Sequence, residues 1–148
     1  MKESKRTISL NVLLLSLLLG YSNFTKAQLL TDREEIIKEY GTNYKTGVTD
    51  GQKVNYISYL KEIQRDSNGT FDQLKVMYFI NLNGKEVCNF WRVLEPASQT
   101  NFNVKYYKAN FVELEPMKWK DYERKIIYTM EVKDGICVIL ASLDLENK

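Results

Sequence analysis

A chain of 148 residues with 27% charged residues and a formal net charge of +2 has room for one compact domain and too little length for two. Its balanced charge gives no pull toward nucleic acid. It contains no histidine, the usual general base near neutral pH and the commonest metal ligand, so Ser-His-Asp and Cys-His machinery is excluded.

The chain opens with Lys2, Lys5 and Arg6, followed by an apolar run through Val12, Leu13, Leu14, Leu15, Leu17, Leu18 and Leu19 and then by Thr25-Lys26-Ala27. A basic start, a short apolar middle and a small-residue exit describe a secretory signal peptide over residues 1–27. The run falls short of the roughly 20 residues of a membrane span, and no cysteine follows it to accept a lipid. A periplasmic or secreted protein with no stable membrane anchor is expected, with residues 28–148 forming a single domain. Tyrosine is abundant and glycine and proline are scarce, so this domain is folded nearly throughout.

Thr31-Asp32-Arg33-Glu34 reads as a capping box and Gly41 as a left-handed stop, which predicts a helix over residues 32 to 40. Its apolar stripe of Ile36, Ile37 and Tyr40 is narrow, so the helix must dock on a sheet. Asp50-Gly51, Asn68-Gly69 and Asn83-Gly84 then mark tight corners, with strands over 54 to 65, 71 to 82 and 85 to 94. Two-residue loops place Ser67 opposite Thr70 and Leu82 opposite Lys85. That register puts Ile57, Ile80 and Val87, and Val76 with Trp91, on a core face with Lys61 as a misfit. The other face collects Leu60, Met77, Phe79, Cys88 and Phe90, beside a charge ladder of Glu62, Lys75 and Arg92.

Glu95-Pro96 ends the meander, and Ser98 caps a second helix to about Leu114, with Val104, Tyr107, Phe111 and Leu114 at helical spacing. Trp119 and Tyr122, flanked by Lys118 and Lys120, occupy a connecting loop. A last hairpin turns at Asp134-Gly135. Pairing Lys133 with Ile136 there puts Ile126, Tyr128, Met130, Val132, Cys137, Ile139, Ala141 and Leu143 on one buried side. The expected fold is therefore α+β, a two-layer sandwich with a largely antiparallel five-stranded sheet in the order α-β-β-β-α-β-β. If all five strands share one core face, Cys88 and Cys137 point to opposite sides and form no disulfide; a bulge or two separate sheets would reverse that.

The acids Glu34, Glu35 and Glu39 complement a helix dipole, and no metal-spaced cysteine set, phosphate loop or nucleotide fingerprint is present. Asn68-Gly69-Thr70 has the form of a glycosylation sequon. The segment Glu34-Glu35-Ile36-Ile37-Lys38-Glu39-Tyr40-Gly41, followed by a polar linker and Tyr56-Ile57-Ser58-Tyr59, resembles the helix-Gly-strand start of small periplasmic proteins of the SmpA/OmlA type. The chain departs from that pattern in lacking a lipid-accepting cysteine and a proline after Gly41. It is also similar to exported proteins of unknown function from Gram-negative bacteria. The resemblance implies a compartment and no activity.

The leading expectation is a non-enzymatic exported domain, without cofactor or metal, that contacts a protein partner. Its candidate binding residues are Leu60, Met77, Phe79, Phe90, Lys75 and Arg92, with Trp119 and Tyr122 as a second contact. The rival is a small-ligand carrier whose pocket has Lys75 and Arg92 at its polar end. A hydrolase built on Glu62 and Asp72 ranks last, because the register separates those acids onto opposite faces.

Overall fold

The computed structural model describes residues 28–65 and 69–145. The expected leader over residues 1–27 lies outside the described residues, as does Asn68 of the second corner and the sequon.

Helix α1 (Arg33–Tyr40) is followed by strands β1 (Lys45–Val48), β2 (Asn55–Arg65), β3 (Gly69–Leu82) and β4 (Lys85–Pro96). A 3-10 turn, Ala97–Gln99, leads into helix α2 (Thr100–Asn110), and β5 (Val112–Glu115), β6 (Lys118–Asp121), β7 (Ile126–Lys133) and β8 (Ile136–Leu143) complete the described chain. All strands join one antiparallel sheet in the order β1-β2-β3-β4-β8-β7-β6-β5. The architecture is α+β and antiparallel, but the expectation of five strands in the order α-β-β-β-α-β-β is overturned by eight strands, four before α2 and four after it. The additions are the four-residue strands β1, β5 and β6, too short to announce themselves by alternation.

Both helices lie on one face of the sheet. Tyr40 of α1 meets Tyr59 of β2 with ring centroids 5.3 Å apart, and Tyr107 of α2 meets Tyr128 of β7 at 5.0 Å. Beneath them sits the core: Ile36, Ile57, Met77, Trp91, Trp119, Ile126, Tyr128, Ile139 and Ala141, all buried.

Two departures in register decide which side chains share this face. The β2–β3 connection is longer than a two-residue turn, so Thr70 pairs with Gln64 instead of Ser67, and Ile57 faces Met77 instead of Ile80. A shift by an odd number of residues exchanges every side chain of one strand between faces. The β3–β4 corner pairs Leu82 with Lys85 as expected, until a bulge at Asn89 moves Trp91 opposite Met77. The bulge lets Cys88 and Trp91 point to the same side despite their odd separation. Leu82↔Lys85 and Lys133↔Ile136 follow the turn chemistry, with Asn83, Gly84, Asp134 and Gly135 all at positive φ.

Local caps explain the helix ends. Asp32, not Thr31, caps α1, its carboxylate accepting the Glu34 N–H at 3.0 Å. The Thr31 carbonyl is engaged elsewhere, accepting the Cys88 N–H at 2.9 Å. Gly41, at φ +91°, donates its N–H to the Ile37 carbonyl. Helix α2 stops at Asn110 rather than Leu114, because Phe111 turns extended and residues 112–121 fold back as the β5–β6 hairpin. That turn brings Trp119 beneath Tyr107, ring centroids 5.4 Å apart, with no exposure to solvent. A continued helix would carry the chain past this site.

The two thiols share the helix-side face, contrary to the expectation that they point apart: Cys88 pairs with Phe79 and Cys137 with Glu95. Both are free. Their positions along β4 differ by seven residues, about 20 Å at about 3.3 Å per residue, so distance is what keeps them apart.

Trp119→Ala empties the best-buried large side chain and lowers the unfolding free energy by about 3–5 kcal/mol. Urea unfolding monitored by circular dichroism reads this, and a loss below about 1 kcal/mol contradicts the placement.

Candidate functional site

A cavity of about 430 Å³ with mostly apolar walls lies between α2 and the sheet. Its walls are mainly aromatic: Trp91 from β4, Phe102, Tyr106 and Tyr107 from α2, Phe111 after it and Tyr128 from β7. Ile63, Val93 and Ile139 add aliphatic surface, and Arg65, Gln73, Glu95 and Asn103 form the polar end. The periods of strand and helix explain the convergence. Alternate residues of β4 bring Trp91, Val93 and Glu95 to one side, and one face of α2 carries Asn103, Tyr106 and Tyr107 over them.

At the polar end Glu95 is a buried carboxylate, 2% exposed. Arg65 holds it in a fork, Nη2 donating to Oε1 at 3.0 Å and Nη1 to Oε2 at 3.1 Å. Asn103 Nδ2 donates to Oε2 at 2.7 Å, and Gln73 Nε2 donates to Oε1. Arg65 Nη1 also donates to Gln99 Oε1 at 2.9 Å, while its guanidinium lies 4.9 Å from the Phe71 ring and 4.2 Å from that of Phe102. The carboxylate thus has four donors, and its arginine stacks between two rings. The indole nitrogens of Trp91 and of the sealed Trp119 are both buried and make no hydrogen bond. The buried hydroxyls of Tyr107 and Tyr128 are both pushed up, Tyr128 to about 12, chiefly by burial.

Lys75 lies outside the cavity lining, on the other side of Trp91. It is 2% exposed and donates to Gln28 Oε1 at 3.0 Å and to the Tyr40 hydroxyl at 2.9 Å. Its ammonium also stands 4.8 Å from the Trp91 ring centre and 5.0 Å from that of Tyr40. Among the described residues no carboxylate forms an ion pair with it. Burial drives its pKa down to about 8, and burial pushes the neighbouring Cys88 thiol up to about 12.

The candidate residues read from the sequence divide between the faces. Met77, Phe79 and Lys75 are buried on the helix side. Leu60, 63% exposed, lies with Phe90 and Arg92 on the opposite face, where Phe90 stacks on Tyr78 at 4.3 Å and Arg92 reaches over Tyr78. They form no single patch, because the β2 shift and the β4 bulge each exchanged faces. Trp119 and Tyr122 part as well, one sealed and the other 59% exposed beneath Lys120. The expected ladder of Glu62, Lys75 and Arg92 is replaced by other pairs: Glu62 opposite Asp72, Lys75 opposite Tyr59 and Val93, Arg92 opposite Val76. Glu62 and Asp72 are therefore direct neighbours instead of residues on opposite faces, and both are exposed.

Sequence reasoning passed over Arg65, Gln73, Glu95 and Asn103. One signal was available: Glu95 continues the alternation of Trp91 and Val93, so a core face there must contain an acid, and a buried acid requires donors.

Comparison of the chain with protein-family models, with curated proteins and with solved structures gives no match. Among the described residues no helix is long and apolar enough to cross a membrane, and no cluster of three or more metal-ligating side chains occurs.

Two outcomes follow from these buried charges. Glu95→Ala strands Arg65 without its partner and costs about 3 kcal/mol, whereas Glu95→Leu combined with Arg65→Met removes both charges and recovers most of that loss; urea unfolding of the three proteins measures the difference. For Lys75, the unfolded chain keeps the proton up to about 10.5 and the folded chain only up to about 8. Between those values the unfolded state binds more protons, so the contribution of Lys75 to stability rises with pH across the window and is lowest below it. The parent gains on Lys75→Met by on the order of 3 kcal/mol between pH 8 and 10.5, and a pH-independent difference in unfolding free energy refutes this.

Proposed function

We propose that the chain is an exported, non-catalytic carrier that holds a small, flat, largely apolar molecule in the cavity between α2 and the sheet. The observation that carries this reading is an aromatic cavity of about 430 Å³ with Arg65, Gln73, Glu95 and Asn103 at its polar end. Its size falls within the range of small-molecule sites, which combine apolar walls with a few placed polar groups. Glu95 and Arg65 satisfy one another, so they shape the polar end without drawing in an ion of either sign. An apolar ring system suits such a site, because the rings take up the area offered by Phe102, Tyr106, Tyr107 and Tyr128. Export rests on the leader pattern of residues 1–27.

Contact with a protein partner remains a second reading, supported by the outer sheet face, which carries Leu60, 63% exposed, and further along the strands the stacked rings of Tyr78 and Phe90. The cavity supports the carrier more directly, because Met77 and Phe79, once counted to the contact patch, are sealed in the core.

Titration with the dye 8-anilinonaphthalene-1-sulfonate tests the carrier. The parent binds one dye per chain in a saturable manner, and Ile63→Trp, which fills the cavity from β2, weakens binding by about tenfold or more while its circular dichroism and urea midpoint stay unchanged. Absence of saturable binding, or binding indifferent to a folded Ile63→Trp, overturns it.

A further inference from the structure

We propose that Gln28 becomes the amino-terminal residue of the exported protein and closes on itself to pyroglutamate, a modification that seats the new chain end against the buried Lys75. The proposal rests on the leader reading, in which cleavage follows Ala27. It is otherwise carried by the geometry of Gln28.

Strand β8 pairs with residues 90–96 of β4 and leaves the earlier part of that edge uncovered. The first described residues fill it: the Leu30 N–H donates to the Cys88 carbonyl at 2.7 Å, the Cys88 N–H donates to the Thr31 carbonyl at 2.9 Å, and Asp32 bridges to Val87. Gln28 is thereby held inside the protein, 2% exposed. Its two amide atoms fare differently. Oε1 accepts from Lys75 Nζ at 3.0 Å, whereas Nε2 is buried and makes no hydrogen bond.

Cleavage before Gln28 would give this buried residue an α-ammonium group, a second cation on the residue that already partners the Lys75 ammonium. Two like charges in a medium of low dielectric repel strongly, and a buried amide N–H without an acceptor carries its own cost. Cyclisation removes the charge and leaves one N–H in place of the ammonium and the amide NH2. The unprotonated α-nitrogen attacks Cδ of the side-chain amide, a nitrogen–carbon bond forms, the Cδ–Nε2 bond breaks, and Nε2 departs as ammonia with a proton supplied by the attacking nitrogen. No oxidant or other co-reactant enters. The ring nitrogen is an uncharged lactam N–H, the orphaned Nε2 is gone, and the lactam oxygen is the atom that accepts from Lys75. Ring closure precedes docking of residues 28–32 on β4, since the end must bend back on itself for attack.

The full-length chain, leader included, is expressed in an exporting host. The exported protein is treated with an amine-labelling reagent before tryptic digestion, and its first peptide is analysed by mass spectrometry. The expected result is a peptide spanning residues 28–33 that is one ammonia lighter than its sequence, carries no label at its amino end, and loses its first residue to pyroglutamyl peptidase. A peptide beginning at Gln28 with a labelled amine and full mass overturns the cyclisation while leaving the leader reading intact. A chain beginning at any other residue overturns the leader reading, and this inference with it.

Discussion

Four donors on one carboxylate hold the helix layer to the sheet. Glu95 stands at the end of β4, and its partners come from β2 (Arg65), β3 (Gln73) and α2 (Asn103). Each would be a liability elsewhere in a buried face; together they satisfy one another. Arg65 extends the reach of the cluster, tying in Gln99 of the 3-10 turn and stacking between Phe71 and Phe102. Because this anchor sits where α2 begins, the helix crosses the sheet at a defined height, and space remains between its aromatic side chains and β4. The cavity is the gap left by a helix fixed by polar contacts at one end and by Tyr107 against Tyr128 and Trp119 further along.

The register between β2 and β3 is the second constraint. With Ile57 on Met77 and Tyr59 on Lys75, the helix face of these strands contains Gln73 and Lys75 among apolar residues. Lys75 finds no carboxylate among the described residues and is held instead by two neutral oxygens and two ring faces. Neutral acceptors and aromatic quadrupoles replace part of the lost hydration. The lowered pKa records what they fail to replace.

Much of the local chemistry was legible in the residues. The Asp134-Gly135 and Asn83-Gly84 corners fixed their hairpins because both central positions take positive φ, and the alternation from Ile126 to Leu143 named the helix-side face of β7 and β8, although Val132, expected buried with the rest, is 45% exposed near the turn. Where the reading of the sheet failed, the cause was a local device without a compositional signature. The three residues between β2 and β3, one more than a two-residue turn has, look like any polar loop, and the bulge at Asn89 inserts one residue into an otherwise regular alternation. Each slip is a single odd number, and each reverses inside and outside for a whole strand. The patch assembled from Leu60, Met77, Phe79 and Phe90 dissolved for that reason alone. Helix α2 was read four residues too long because Phe111 and Leu114 continue its apolar spacing, although the burial of Trp119 requires the chain to turn back first. The polar cluster escaped notice because Arg65, Gln73, Glu95 and Asn103 are scattered along the chain, and only tertiary pairing makes them one object.

The sheet ends in short strands, and this bears on how the chain behaves in a crowd. An open sheet offers its outermost strands as templates for lateral growth. Here the longest strands, β3 and β4, lie in the interior of the order, while the outermost, β1 and β5, have four residues each. A strand approaching past β1 reaches the part of β2 that carries Lys61, Glu62, Gln64 and Arg65 beside the exposed Leu60; one approaching β5 meets Glu113 and Glu115 alternating with the exposed Val112 and Leu114. Stacking into fibrils would have to start on a stub and continue across charge, so a protein built largely of β-structure carries at its borders the features that keep neighbouring copies apart.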